Sequence, residues 1–529
     1  MVGWMKRTLF ALAFLTVIAS ACGAVGQYVK CDEQKSSDGW IHCNAALGQF
    51  SQDDDHWTFY RKDSRGNSLP MGFEIEGTNG ALMDDCFEFV SEKENEWTMR
   101  LRSTCPYCGP YQNNYVKIWF PGDIYAYFVH PYVSCKAEYL ILFDGSVEGE
   151  EEMKRPFIDA LGKFIESKRD LLVTRAQDIS EITPEQLKKT DVVSDTGEWR
   201  SVFTDPVRYA VEKADPKYVL IIGYPNEGQL SMPDLGDNSY ALEAMPYADD
   251  DKPVGSMGTT YTKAAFGRLP FPPLTLITTD ALKRWASADY RPEGNGVAFY
   301  DPCYDPEGGG AIGCPSACDN CIVAKDFIKL IGAGEDSLKP SPEYCQHLEP
   351  KATGVKCSYN PLDTMKNKKI AFFSMHGLHG EWTGSVVAGK YSLAAALDSA
   401  REYWLDDDGE YKQLNGLMLF TGACWGASCA YEDDTWCLAK RFFFIGGDMY
   451  VGTTQMSHGG GSLPKVYLDF DPLGLQEGMG LLSYLSLKDA LSGMPIGKAV
   501  RKRWEGDGLN QGLQLYGDPA ACLAESCEY

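Results

Sequence analysis

Two short apolar runs in the second half of the chain strongly limit the folds that it can adopt. Residues 369–374 form the first run, which is followed by His376, and residues 417–420 form the second run, which is followed by Cys424. Between them, residues 391–405 are rich in Leu and Ala and have a helix-like pattern. A strand, a helix and a second strand in this order predict two parallel strands of one sheet.

The histidine and the cysteine that follow these strands are candidates for a catalytic pair. They lie 48 residues apart (424 − 376 = 48), and functional groups of open α/β sheets collect at the carboxyl ends of the strands. A thiol becomes a good nucleophile when a base lies nearby, and histidine is the base best suited to neutral pH. We therefore interpret His376 and Cys424 as a dyad. The alternative is a core histidine and a buried or disulfide-bonded cysteine.

From about residue 136 onwards, apolar strand-like runs alternate with helix-like stretches. Strands are expected at residues 138–143, 171–174, 218–223, 262–269, 297–300 and 449–453. Helices are expected at residues 153–168, 207–213, 279–286, 323–331 and 435–441. This alternation predicts an α/β fold with a mostly parallel sheet and helices on both of its faces.

Residues 27–135 have a different pattern. Short runs of aromatic and β-branched residues are separated there by Gly, Asn, Asp and Pro. Such a pattern predicts a small β-sandwich-like domain. It contains no recognisable catalytic group, so we expect it to be a pro-region or an accessory domain.

The first 21 residues have the form of a secretory signal peptide. Two basic residues precede the apolar stretch 9–18, and small residues follow it. Ordinary cleavage after Ala21 or Ala24 is the favoured interpretation, and a lipid anchor on Cys22 is the alternative. The sequence thus predicts a secreted or extracellular protein, whose contact with a membrane would depend on that anchor.

Charge and cysteine content agree with export. The net charge of −25 disfavours nucleic acid and anionic membrane surfaces as partners. With Cys22 and Cys424 set aside, an even number of the 18 cysteines remains, which is compatible with a set of disulfides. The triplet Cys314, Cys318 and Cys321 has an iron–sulfur spacing, and the pair at 105 and 108 has half of a zinc spacing. An oxidising compartment favours disulfides at both places.

Several segments resemble the gingipain-type cysteine peptidases of the caspase-like clan. Gly-Ala-Cys-Trp-Gly around Cys424 partly matches the caspase signature, in which the histidine lies about 50 residues upstream. Gly-Arg-Leu-Pro at 267–270 and Gly-Asp-Pro at 517–519 occur in the order that the family has. The resemblance covers about residues 136–520. It implies a first peptidase subdomain, 136–275, and a catalytic subdomain, 276–529, with a Cys-rich insertion at 303–357.

The resemblance also implies the chemistry of an endopeptidase. Cys424 would attack the scissile carbonyl and form a thioester acyl-enzyme, while His376 would act as general acid and base. The backbone N–H groups of Gly377 and Cys424 would form the oxyanion hole. His379 is a rival base, although His376 fits the family pattern better. Other cysteines near Cys424 are rival nucleophiles, namely Cys429 and Cys437, and both suit disulfides better.

The substrate pocket is less constrained by the sequence. Glu381, Thr453 and His458 are its candidate residues, the last two because family pocket residues come from the loop that follows the strand after the cysteine. The alternatives for Glu381 are to orient a catalytic histidine or to face solvent in a loop. A carboxylate from the acidic stretch 237–251 would select peptides with Arg or Lys before the cut, although a solvated loop is the ordinary role of such a charge run. No cofactor is needed for this chemistry. Acidic runs at 53–55, 249–251 and 406–408 are compatible with structural calcium, but none has the spacing of a known calcium loop.

Two other functions compete with a peptidase. One is an inactive gingipain-like protein that serves as a surface binding module, against which the presence of both dyad residues counts. The other is a metal or iron–sulfur enzyme built on the cysteine clusters, against which the export signal counts.

Overall fold

The computed structural model divides the chain into two compact units, Met1–Ser134 and Cys135–Tyr529. In the first unit the structure describes nine strands. In the second unit it describes residues 135–146, 151–182, 187, 191–193, 199–201, 206–225, 230, 237–241, 263–300, 319–340, 364–374, 377–378, 385–386, 414, 416–421, 429, 437–453, 481–503 and 513–529.

The nine strands of the first unit form two four-stranded sheets and one short additional strand. They are β1 Gln27–Val29, β2 Ile41–Cys43, β3 His56–Tyr60, β4 Gly72–Gly77, β5 Phe87–Lys93, β6 Glu96–Leu101, β7 Tyr107–Cys108, β8 Asn114–Trp119 and β9 Ala126–Val129. The strand orders are β1-β3-β6-β5 and β2-β9-β8-β4. That these two sheets pack as a sandwich stays a prediction.

The second unit is built on a sheet of ten strands. They are β10 Tyr139–Phe143, β11 Thr174–Asp178, β14 Tyr218–Ile222, β15 Ala265–Leu269, β16 Gly296–Tyr300, β17 Leu338–Pro340, β18 Ile370–Ser374, β21 Met418–Thr421, β22 Met449–Thr453 and β23 Leu513–Tyr516. Their order is β17-β16-β18-β21-β22-β23-β15-β14-β10-β11. Two small antiparallel pairs lie outside this sheet, β12 Asp191–Val193 with β13 Trp199–Ser201 and β19 Gly377–Leu378 with β20 Ser385–Val386.

The sheet is mostly parallel, as its sequence predicts. Strands such as β14 and β18 are buried along their whole length, which is why they appear as continuous apolar runs rather than as alternating ones. Together with the helices, this sheet confirms the α/β fold class. The finer assignment to a caspase- or gingipain-like fold in two subdomains stays a prediction.

One strand, β23, reverses the direction of the sheet. It runs antiparallel to β22, with Thr453 opposite Leu513, and parallel to β15, with Arg268 opposite Tyr516. As a result, β10, β11, β14 and β15 run opposite to β16, β17, β18, β21 and β22. We call the edge at which β18, β21 and β22 end, at Ser374, Thr421 and Thr453, the dyad edge. The strands of the other half begin at this edge and end at the opposite one.

Seven α-helices accompany the sheet within the described residues. They are α1 Lys154–Lys168, α2 Pro206–Ala214, α3 Leu276–Trp285, α4 Asp319–Leu330, α5 Leu438–Phe444, α6 Leu481–Leu491 and α7 Ile496–Arg501. Helix α3 begins after Thr275, whose hydroxyl accepts a hydrogen bond from the backbone N–H of Thr278. Aromatic contacts fix the helices in place: Phe164 of α1 packs against Trp285 of α3, and Phe327 of α4 stacks on Phe372 of β18. The predicted helix 391–405 lies outside the described residues.

Two of the sequence motifs that carry the family resemblance meet in the sheet. The backbone N–H of Gly517 donates to the carbonyl of Arg268 at 2.9 Å. A side chain at Gly267 would place its Cβ 2.4 Å from the carbonyl oxygen of Gly517 and 2.8 Å from Pro519 Cδ. Position 267 therefore has to be glycine, because the Gly-Asp-Pro turn lies directly on its backbone.

The aspartate of this turn, Asp518, is buried and links the turn to two other elements of the fold. Asp518 is fully buried and accepts hydrogen bonds from the hydroxyl of Tyr139 at 2.8 Å and from the ammonium of Lys168 at 2.5 Å. Burial, and then the charge of Asp518, raise the pKa of Tyr139 well above its usual value. Tyr139 therefore remains a neutral donor, and one carboxylate joins the turn after β23 to β10 and α1.

Disulfides are present in the second unit. Cys429 is bonded to Cys437 and Cys522 to Cys527, and Cys321 is also disulfide-bonded. The prediction of disulfides rather than an iron–sulfur cluster is thus confirmed at Cys321. Among the described residues, no helix is long and apolar enough to cross a membrane.

Candidate active site

The two strands that lead to the predicted dyad are neighbours in the sheet. β18 and β21 run parallel, and their register pairs Ile370 with Met418 and Phe373 with Thr421. Both strands are fully buried. The structure therefore bears out the predicted placement of these two strands side by side with a shared carboxyl edge.

His376 and Cys424 themselves lie outside the described residues, and the structure gives no distance between their side chains. Their positions in the sequence nevertheless relate simply to the register. Each lies three residues beyond one member of the pair formed by Phe373 and Thr421. Neighbouring strands are about 4.8 Å apart, so the two segments that carry the dyad leave adjacent strands at the same level.

The other predicted site residues are only partly described. The backbone of Gly377 begins β19, which pairs antiparallel with β20 directly after His376. Thr453 is buried at the end of β22, and β22 runs parallel to β21. Thr453 therefore lies at the dyad edge, one strand away from Thr421. The remaining candidates, namely His379, Glu381 and His458, lie outside the described residues.

Two hydroxyl groups tie the strand ends together at this edge. The Thr421 hydroxyl donates to the carbonyl oxygen of Phe373 at 3.4 Å, from the cysteine strand to the histidine strand. The Ser483 hydroxyl of α6 donates to the carbonyl oxygen of Thr421 at 2.7 Å. Both hydroxyl-bearing residues are buried. Sequence analysis missed Ser483; the available signal was a serine within the otherwise apolar Leu-Leu-Ser-Tyr-Leu segment, where a polar group needs a partner.

The helix that carries Ser483 is itself anchored. The hydroxyl of the next residue, Tyr484, donates to the carboxylate of Asp326 in α4. Near the other end of the helix, Arg503 forms an ion pair with Asp489 and also donates to the carbonyl of Leu485. The contact between α6 and the end of β21 is therefore made by an element that is fixed along its length.

Asp237, the first residue of the acidic stretch, has a structural partner. Its carboxylate accepts from Arg268 Nε at 2.9 Å and Nη2 at 2.6 Å, and from Gln514 Nε2 at 2.8 Å. The side chains of Asp237 and Arg268 are fully buried. Burial is the largest single influence and would lower the pKa of Arg268, but the charge of Asp237 and its hydrogen bonds, with smaller contributions from Tyr240 and Tyr516, together raise this pKa above its usual value. This carboxylate is thus committed to Arg268 and is not available to a substrate.

The rest of the acidic stretch is connected to the dyad edge at both ends. The 3₁₀ turn Asp237–Ala241 lies along β15, where Asn238 accepts from the backbone N–H of Phe266 and Tyr240 packs on the Phe266 ring. β15 begins at Ala265, and the strands of this half begin at the dyad edge. Residues 242–262, which contain the three aspartates 249–251, therefore leave and rejoin the described chain near that edge.

The two rival nucleophiles are excluded by their bonding. Cys429 and Cys437 form a disulfide with each other, as the sequence favoured. A disulfide sulfur has no thiolate with which to attack a carbonyl. Of the three cysteines in this region, only Cys424 stays a candidate.

Two carboxylates, Asp178 and Asp144, lie at the opposite edge, where β10 and β11 end. Asp178 accepts hydrogen bonds from the backbone N–H of Gly145 at 2.9 Å and from the hydroxyl of Ser180 at 2.7 Å. Burial is the main cause that raises the pKa of Asp178, and nearby Asp144 adds to it.

Across the part of the chain that the structure describes, no group of three or more His, Cys, Asp or Glu side chains is arranged to hold a metal ion.

Comparison with known proteins adds no further constraint. No protein-family model matches the chain, and no curated protein matches it.

Proposed function

We propose that this protein is a cysteine endopeptidase in which Cys424 is the nucleophile and His376 the general acid and base. The observation that supports this most is the register of β18 and β21, from which both residues are displaced by the same three positions. A dyad of this kind needs two side chains at neighbouring strand ends, and the sheet provides neighbouring strands that end together. The loss of Cys429 and Cys437 to a disulfide removes the competing thiols.

The chemistry follows from these two groups. The Cys424 thiolate attacks the scissile carbonyl, and the carbonyl π electrons move to oxygen. His376 then gives a proton to the leaving amine as the C–N bond breaks, which leaves a thioester. Water, deprotonated by His376, hydrolyses the thioester and regenerates the thiol. The N–H groups of Gly377 and Cys424 would stabilise the oxyanion, for which a glycine allows the closest backbone approach.

The preference that we propose is for a basic residue before the cut. It rests on the segment 242–262, whose two ends adjoin the dyad edge and which carries three consecutive aspartates at 249–251. Because Asp237 is neutralised by Arg268, a selecting carboxylate would have to come from these later residues. Thr453, at the end of the next strand, would line the same pocket. We further propose that the enzyme is exported and that residues 27–135 act as its pro-region or accessory domain.

Alkylation of the native, unreduced protein tests the dyad. We expect iodoacetamide to label Cys424 selectively and the labelling rate to fall in His376→Ala, because the thiolate is the reactive form and the imidazole stabilises it. His379→Ala is the matched control and should keep the wild-type rate. An equal rate in wild type and His376→Ala would contradict the proposed dyad. It would favour the alternative of an inactive surface binding module.

Profiling with a peptide library tests the activity itself. Wild-type protein should cleave peptides after Arg or Lys, and Cys424→Ala should leave them intact. Replacing the three aspartates at 249–251 by asparagine should raise KM for basic peptides. Cleavage that persists in Cys424→Ala would show that another protease, or another residue, is responsible.

A further inference from the structure

The proposed dyad can react only if the ends of β18 and β21 are held in a fixed position relative to each other. Gly422 and Ala423, the residues between β21 and Cys424, have no polar side-chain atoms with which to anchor themselves. Thr421 is therefore the last residue before Cys424 whose side chain can form a hydrogen bond. Small displacements at this point matter, because a shift of about 1 Å in a reacting group can slow a reaction roughly a hundredfold.

Thr421 is bonded in two directions. Its hydroxyl donates to the carbonyl of Phe373 on the histidine strand, and its own carbonyl accepts from the Ser483 hydroxyl of α6. The three residues Phe373, Thr421 and Ser483 are at most 2% exposed. In such an interior, a hydrogen bond is stronger than in water, and consecutive bonds reinforce each other.

We propose that Thr421 and Ser483 are positioning residues for the reaction, and that the Ser483–Thr421–Phe373 chain sets the approach of Cys424 to His376. This inference rests on the proposed peptidase function. Helix α6 fixes one end of this series of hydrogen bonds, because the hydroxyl of Tyr484, next to Ser483, donates to the carboxylate of Asp326. The Thr421 hydroxyl then carries the constraint from the cysteine strand to the histidine strand.

Helix α6 also provides a matched control. Ser486 lies one turn after Ser483, is equally buried and also donates to a backbone carbonyl, but that carbonyl belongs to Leu482 of the same helix. Ser483→Ala and Ser486→Ala therefore remove the same atom from the same helix. Only the first removes a contact with the strand that leads to Cys424.

The experiment compares the rates at which iodoacetamide alkylates Cys424 in the native full-length protein, measured by peptide mass mapping. In this reaction the thiolate sulfur bonds to the methylene carbon and iodide leaves. We expect Ser483→Ala to react about tenfold more slowly than wild type, the effect of losing one net hydrogen bond. Ser486→Ala should keep the wild-type rate. Ser483→Thr, which restores a hydroxyl, should recover most of the loss, as a purely structural defect would not.

The remaining outcomes of this experiment are also decisive. Equal rates in Ser483→Ala and Ser486→Ala, whether fast or slow, would overturn it. If Ser483→Ala does not fold, Thr421→Val takes its place, because valine keeps the shape and removes the hydroxyl: a slow rate supports the inference and a wild-type rate overturns it. A rate that does not depend on His376 refutes the dyad itself. A His376-dependent rate that is unaffected by Ser483→Ala refutes only the positioning role.

Discussion

Replacing Asp237 with asparagine tests the buried ion pair with Arg268. The substitution keeps the shape of the side chain, exchanges one acceptor oxygen for an amide group and removes the charge. The guanidinium of Arg268 would then remain fully buried without a counter-charge. Its contacts with the carbonyls of Gly223 and Tyr224, at 3.2 and 3.3 Å, would remain but do not neutralise it.

The expected loss of stability can be worked out from this geometry. Two charge-assisted hydrogen bonds, at 2.9 and 2.6 Å, join the two side chains, and each is worth about 1.5–3 kcal/mol. Removing one partner of a buried pair costs about 3–5 kcal/mol. The two figures agree, and we expect a free energy of unfolding about 4 kcal/mol lower than that of wild type. For a unit of this size, this corresponds to a melting temperature that is lower by about 5 °C.

Differential scanning calorimetry of the full chain provides the measurement, and the chain offers a matched control. Asp289 also binds an arginine through two hydrogen bonds, at 2.8 and 2.9 Å to Arg291, but this pair is about half exposed. Asp289→Asn should leave the melting temperature almost unchanged, because exposed ion pairs contribute little.

The double variant Asp237→Asn, Arg268→Met completes the test. It removes the stranded guanidinium, so it should be more stable than Asp237→Asn alone. Similar melting temperatures for Asp237→Asn and Asp289→Asn would refute the reasoning. So would a double variant that is less stable than Asp237→Asn.

Three further predictions concern stability. Thr279 is buried, and its hydroxyl has no hydrogen-bond partner among the described residues, so Thr279→Val should raise the melting temperature. Thr278→Val, in contrast, loses a 2.7 Å hydrogen bond to the carbonyl of Pro272 and should lower the free energy of unfolding by about 1–2 kcal/mol. Gly267→Ala should cost about 3 kcal/mol in urea unfolding because its Cβ meets backbone at 2.4 Å, while Gly162→Ala, with open space around it, should be neutral or stabilising. Burial raises the pKa of Asp178 in the folded protein above its ordinary 3.8. The folded protein therefore loses stability as the pH rises from about 4 through the raised pKa, because the buried carboxyl has to give up its proton. Asp178→Asn has no such group, so its stability relative to wild type should increase from about pH 4 to pH 7, and a constant difference would contradict this sign.

The strands that sequence predicted well are those with an unambiguous apolar pattern. The runs at 138–143, 218–223 and 369–374 coincide closely with β10, β14 and β18. The prediction of a strand at 171–174 was wrong, because β11 is Thr174–Asp178. Its sequence Thr-Arg-Ala-Gln-Asp is largely polar, and two of the three apolar residues before it are half exposed, Leu171 at 49% and Val173 at 50%, whereas Leu172 between them is buried. At this place the apolar run, residues 171–173, comes before the residues that pair with the neighbouring strand, 174–178.

The candidate site was likewise predictable from the sequence only in part. The parallel neighbours β18 and β21 could be predicted, because a strand–helix–strand order has few alternative arrangements. The disulfide role of Cys429 and Cys437 was also predicted correctly. The pairing of Asp237 with Arg268, and of Ser483 with Thr421, could not be predicted, since partners 31 and 62 residues apart meet only through the tertiary fold. No local pattern encodes the reversal of direction at β23 either.

The position of β23 has a consequence for biosynthesis. This strand comes last of the ten in chain order but lies in the middle of the sheet, between β22 and β15. Until the ribosome has released residue 516, the polypeptide can form only two separate half-sheets, each with an unsatisfied backbone edge that invites misassociation. The two halves can therefore join only after residue 516 has left the ribosome, and the edge on which the proposed dyad lies is completed only then.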